Sequence, residues 1–131
     1  MCVLHWDSHE SRSKTDALRR YVLTDTERME VFQWIDDVIR YANVKPIVGE
    51  RAKSGIMCYL QNYGLRREWL QALAATCMLF YEKLEDSSVL RLSLDKLQRM
   101  CAFQYTISVL RKIETSVVAM HFSAGESDWD D

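Results

Sequence analysis

Cys2, His5, Asp7 and His9 place four residues of metal-binding type within the first nine positions. Thiolate, imidazole and carboxylate all ligate zinc, but a closed tetrahedral shell needs a framework that fixes four ligands at once. This stretch is polar and mixed and reads as a loose arm, so the set carries little weight as a metal site. His5, His9 and His121 do not form a catalytic set with a nucleophile. Gly49, Gly55 and Gly64 are too widely spaced to cradle phosphate, and the chain has no nucleophile-elbow pattern. Asp36-Asp37 and Glu85-Asp86 are adjacent carboxylates. Neighbours on a helix point away from each other, so neither pair makes a general acid/base couple. The residues therefore spell out no enzyme and call for no cofactor.

Charge narrows the classes further. The 131 residues carry a formal net charge of -2. Arg19-Arg20, Arg51 with Lys53, Arg66-Arg67 and Arg111-Lys112 are scattered and read as solvated helix faces, without the basic stripe that a nucleic-acid surface requires. Cys58, Cys77 and Cys101 each lie among apolar residues, in no Cys-x-x-Cys spacing. That pattern predicts reduced core thiols and a nuclear or cytoplasmic setting. Neither a secretory leader nor a long apolar span is read from the sequence.

The segment that must position any functional charge is Leu70 to Phe80, whose polar residues are Gln71 and Thr76 alone. It runs directly into Glu82-Lys83-Leu84-Glu85-Asp86. A helix that is apolar on every side must be buried on every side. Spanning a bilayer takes about 20 apolar residues, and this run is too short. It predicts the central post of a helical domain, with a charged cluster where the post surfaces. Function is expected near that exit.

Four further helices are expected around the post. Thr24-x-x-Glu27 has capping-box spacing and opens a helix with the stripe Val31, Trp34, Ile35, Val38 and Ala42. Pro46 is expected to end it. A second helix, about Glu50 to Tyr63, carries Ala52, Ile56, Tyr59, Leu60 and Tyr63. Gly55 inside it is a place for close helix approach, and Gly64 is the expected stop. The post is the third helix, about Arg66 to Leu84. Ser93 caps a fourth, Leu94 to Cys101. The fifth runs from about Thr106 to His121 with Leu110, Ile113, Val117 and Met120 inward. A short helix over Lys14 to Leu23 precedes these. The organisation expected is an arm at 1–24, a helical domain at 25–122 and an acidic, disordered tail at 123–131. One proline and four glycines leave little room for an all-β design.

Three segments, in order, resemble one family. Arg28-Met29-Glu30-Val31-Phe32-Gln33-Trp34-Ile35-Asp36-Asp37-Val38 is similar to the first-helix signature of the N-terminal cyclin box. Leu70-Gln71, followed by small and apolar residues and then Lys83-Leu84-Glu85-Asp86, resembles its Leu-Gln … Lys-Phe/Leu-Glu-Glu segment. Cys101-Ala102-Phe103-Gln104-Tyr105-Thr106, followed by Leu110-Arg111-Lys112-Ile113-Glu114, resembles the stretch that opens its fifth helix. The resemblance covers about Glu27 to Phe122. It implies an all-α fold, a five-helix cyclin-like box around a central buried helix.

The resemblance also implies roles. Lys83, Glu114 and Glu85 fall on the family's kinase-binding face. Without it, Lys83 reads as compensating the C-terminal end of its helix dipole, and Glu114 as part of a solvated face. Arg28, Val31, Trp34 and Gln71 map onto the family's patch for Arg-x-Leu-type peptides. There Glu27 replaces the leading Met, which weakens the apolar pocket and offers an acid to a basic peptide. Trp34 and Val31 as core residues is the simpler reading. The family's second-helix Asp, partner of the Arg on the first helix, is Met57 here, so Arg28 needs solvent or another carboxylate. The chain ends before a second box, as a single-box, divergent or truncated member would. The function implied is a cyclin-like regulatory subunit that binds and activates a cyclin-dependent-type protein kinase. The alternative is a helical adaptor of the same fold that binds another protein or nucleic acid.

Overall fold

A capping box opens the first helix. In the computed structural model, which describes residues 23–85 and 89–130 with side chains through Phe122, Glu27 N donates to Thr24 Oγ1 (3.1 Å). Thr24 N donates to Glu27 Oε1 in return (2.9 Å). Helix α1 then spans Asp25–Tyr41 and buries Val31, Trp34, Ile35, Val38 and Ile39 on one face. It does not run on to Pro46. Asn43 turns left-handed (φ 59°), and Val44 N reaches back to Ile39 O (2.9 Å). Pro46 instead opens α2, Pro46–Asn62, as a first helical residue. There its missing N–H is not needed and its fixed φ suits the helix. The second helix therefore begins about one turn earlier than the sequence suggested.

Helix α2 also ends without the expected glycine device. No glycine among the described residues has positive φ. Tyr63 swings to extended backbone (φ -134°), its N–H still bonded to Tyr59 O (2.8 Å), and its ring rests on the Tyr59 ring with centroids 5.0 Å apart. A 3₁₀ turn, Arg67–Trp69, leads into α3, Leu70–Leu84. Every residue of α3 from Leu70 to Glu82 is buried. Fully burying a Leu, Met or Phe side chain contributes about 1.5–3 kcal/mol, and α3 buries Leu70, Leu73, Met78, Leu79 and Phe80. Thr76, inside this run, satisfies its hydroxyl by donating to Ala72 O (3.0 Å).

Ser93 caps α4, Leu94–Met100, by accepting from Lys96 N (3.1 Å). The chain then turns through two left-handed residues, Ala102 and Phe103. Gln98 Nε2 holds this turn by donating to Tyr105 O (3.0 Å), and the Tyr105 hydroxyl donates to Glu68 O (2.6 Å). Helix α5, Ile107–Asp130, faces Leu110, Ile113, Val117 and Met120 inward. Its backbone continues past His121, the expected end. A lone interior glycine such as Gly125 weakens a helix by about 1 kcal/mol relative to Ala but does not stop it. The described residues thus form five α-helices, and α3 packs against all four others. The expected short helix at residues 14–23 falls almost wholly outside the described residues.

The three described cysteines are free thiols. Burial pushes the Cys101 thiol up to about 12 and the Cys77 thiol higher still, so both are inert in the core. Cys58 is only half-buried, and Asn62 Nδ2 donates to its carbonyl (2.8 Å).

Gly55 sets the spacing of α2 and α3. A Cβ there would stand 2.7 Å from Tyr81 Cε2 and 3.0 Å from the Tyr81 hydroxyl, too close for either to stay. The Tyr81 ring fills the gap that the glycine leaves. Gly55→Ala gains up to about 1 kcal/mol in helix propensity, but crowding a packed core costs about 1–3 kcal/mol. The clash should win, lowering Tm by roughly 3–8 °C. A thermal melt in which Gly55→Ala matches or exceeds wild type would show that Tyr81 moves aside freely.

Candidate docking face at the exit of the central helix

The charged end of α3 resolves into three carboxylate or ammonium groups with three different partners. Glu82 points inward. It is buried, and it accepts from Arg91 N (Oε2, 2.8 Å) and Leu92 N (Oε1, 2.9 Å). Both oxygens of a buried anion are thereby satisfied by backbone donors, the condition under which burying a charge is tolerable. The effect is to pin the chain after the exit back onto the last turn of α3.

Lys83 and Glu85 point outward and to opposite flanks, as residues two apart on a helix must. Lys83 Nζ bonds Glu114 Oε2 of α5 (2.9 Å), and Arg51 Nη1 of α2 bonds Glu85 Oε2 (2.7 Å). The register follows from antiparallel packing. Gly55 of α2 meets Tyr81 of α3, so one turn back on α2 and one turn on along α3, Arg51 meets Glu85. On the other flank His121 of α5 stacks edge-on with Phe80 (centroids 5.1 Å) and Tyr81 (5.9 Å), and about two turns earlier Glu114 meets Lys83. Leu84, exposed, lies between the two pairs. Exposed ion pairs contribute about 0–1 kcal/mol to stability. These pairs hold side chains in place more than they hold the fold together.

The other residues singled out from the sequence part company. Val31 and Trp34 belong to the core, and Gln71 is buried at the start of α3. These three offer an Arg-x-Leu-type peptide no exposed side chain. Gln71 Oε1 accepts from Gln104 Nε2 (3.2 Å), while its own Nε2 has no hydrogen-bond partner among the described residues. Arg28 is exposed and pairs with Asp25, one turn back in its own helix (3.0 Å). It needs nothing from Met57. Glu27 is no bait for a basic peptide, because its carboxylate is buried, caps its own helix and bonds Arg67 Nη1 (2.7 Å). A tie from α1 to the 3₁₀ turn thus replaces the expected tie from α1 to α2. Cys2, His5, Asp7 and His9 lie outside the described residues.

Sequence reasoning missed Glu82, Arg51 and Arg67. Glu82 carried a signal: a carboxylate that closes an all-round apolar run must be buried with it and so must find donors. Arg51 and Arg67 carried none, since each partner is more than thirty residues away and is found only through helix register.

Glu82 generates a direct test. Bonds to a charged group contribute about 1.5–3 kcal/mol each. The two bonds together imply that Glu82→Ala lowers unfolding stability by about 3–6 kcal/mol and speeds hydrogen exchange at the Arg91 and Leu92 amides. Exchange at those two amides unchanged from wild type would remove Glu82 from this role.

No curated protein and no solved structure matches this chain. The family model described as "Cyclin, N-terminal domain" matches residues 2–120. A chain whose described elements are all helices, with a central helix buried from Leu70 to Glu82, and which the family model matches over that length, belongs to the cyclin family through its N-terminal domain.

Proposed function

We propose that this protein is a regulatory subunit that docks on a cyclin-dependent-type protein kinase through the exit of α3 and favours the kinase's active arrangement. The observation that carries the reading is the Lys83–Glu114 pair. It joins the end of a helix buried from Leu70 to Glu82 to its neighbour, so donor and acceptor are both anchored to the core. Charged groups held this way fix the register and orientation of a partner. Glu85 and exposed Leu84 extend the same face. The protein itself performs no chemistry in this reading. In the active kinase a Glu of a mobile helix pairs with the Lys that positions ATP. A subunit that binds that arrangement more tightly than the inactive one shifts the population toward it.

The test is binding to a panel of purified cyclin-dependent kinases. Lys83→Glu and Glu114→Lys should each weaken binding at least about 30-fold, about 2 kcal/mol. The double exchange keeps an ion pair between α3 and α5 but reverses its polarity, so it should fold normally and still bind poorly. If all three variants keep wild-type Tm and wild-type affinity, the face is wrongly assigned. Binding to DNA at low salt with no kinase bound would instead favour an adaptor role.

A further inference from the structure

The two ion pairs at the α3 exit share an asymmetry. In the Lys83–Glu114 pair the cation side chain is 47% exposed and the carboxylate 17%. In the Arg51–Glu85 pair the figures are 48% and 20%. Each carboxylate is tucked against the helices and each cation stands in front of it. The face is therefore cationic outward at both flanks, with Leu84 between, although the chain as a whole is slightly acidic.

Among the described residues each cation makes one hydrogen bond, Lys83 from Nζ to Glu114 and Arg51 from Nη1 to Glu85. Arg51 has the larger donor set, and its Nε and Nη2 have no partner among those residues. Glu85 takes one Nη1 donor of the planar fork, and the Arg51 side chain as a whole is half-exposed. A guanidinium presented in this way suits a carboxylate, which can accept two parallel N–H bonds from it, better than it suits a single carbonyl.

We infer that Arg51 is a second cationic contact of the docking face, on the α2 flank, and that it selects a kinase presenting an acidic side chain at that position. This rests on the kinase reading above and adds to it a residue of another helix and a chemical requirement on the partner. Arg51 acts as a specificity determinant, and Glu85 positions it.

The experiment takes a kinase from the panel that binds the wild-type protein and measures Kd at low and at physiological salt. Arg51→Gln should bind about 5–10-fold more weakly at low salt and show a flatter salt dependence, because one screened charge contact is gone. Arg51→Lys, which keeps the charge, should bind within about threefold of wild type. Removing the matching acidic side chain of the kinase should weaken wild type but not Arg51→Gln. If Arg51→Gln binds like wild type at both salt concentrations while Lys83→Glu does not bind, the inference fails and the kinase reading stands. If Arg51→Lys is as weak as Arg51→Gln, charge is not the reason and the inference also fails. If no kinase of the panel binds wild type, both readings fall together.

Discussion

The burial of α3 from Leu70 to Glu82 is the constraint on which the rest depends. A helix buried from Leu70 to Glu82 must be surrounded, and α1, α2, α4 and α5 are the surround. The small and apolar residues of α3 let these neighbours come close. Where close approach would still fail, the partner gives way: Gly55 of α2 leaves room for the Tyr81 ring. Once the helices are seated on the post, their register along it is fixed. Which charges meet at its end is then no longer a free choice.

In the proposed reading that end is where the buried post meets an interaction surface. Glu82 is spent inward on the Arg91 and Leu92 amides, which closes the chain over the helix terminus. Lys83 and Glu85 emerge on either side of exposed Leu84, each already paired, one to α5 and one to α2. None of these ion pairs is placed to stabilise the fold by much. Their consequence is preorganisation: long side chains that would otherwise sample many rotamers are held ready, which lowers the entropic cost of docking.

Much of this was legible in the sequence, and what was not has physical reasons. The five helices, the buried post, the Thr24–Glu27 capping box and the Ser93 cap follow from local patterns and were read as such. Pro46 was misread because proline both ends one helix and opens the next, and only the left-handed Asn43 decides which. Gly64 was misread because Tyr63 stops α2 with extended backbone. At the site, Lys83, Glu114 and Glu85 came from resemblance to a family, and spacing alone favoured the plainer reading of helix-dipole compensation and a solvated face. Arg28 was feared unpaired for want of a carboxylate at Met57, yet Asp25 was three residues away. Arg51 and Arg67 were read only as parts of solvated helix faces, because each pair they make closes over a long stretch of chain.

The match places this chain among cyclin N-terminal domains, and the proposal locates its docking contact at the α3 exit. Hydrogen exchange of the protein, free and bound to a cyclin-dependent kinase, tests that location most directly. The account predicts added protection around Arg51, at the end of α3 with the Arg91–Leu92 segment, and at the α5 turn carrying Glu114. Protection confined to α1 and the 3₁₀ turn, with the α3 exit unchanged, would contradict it.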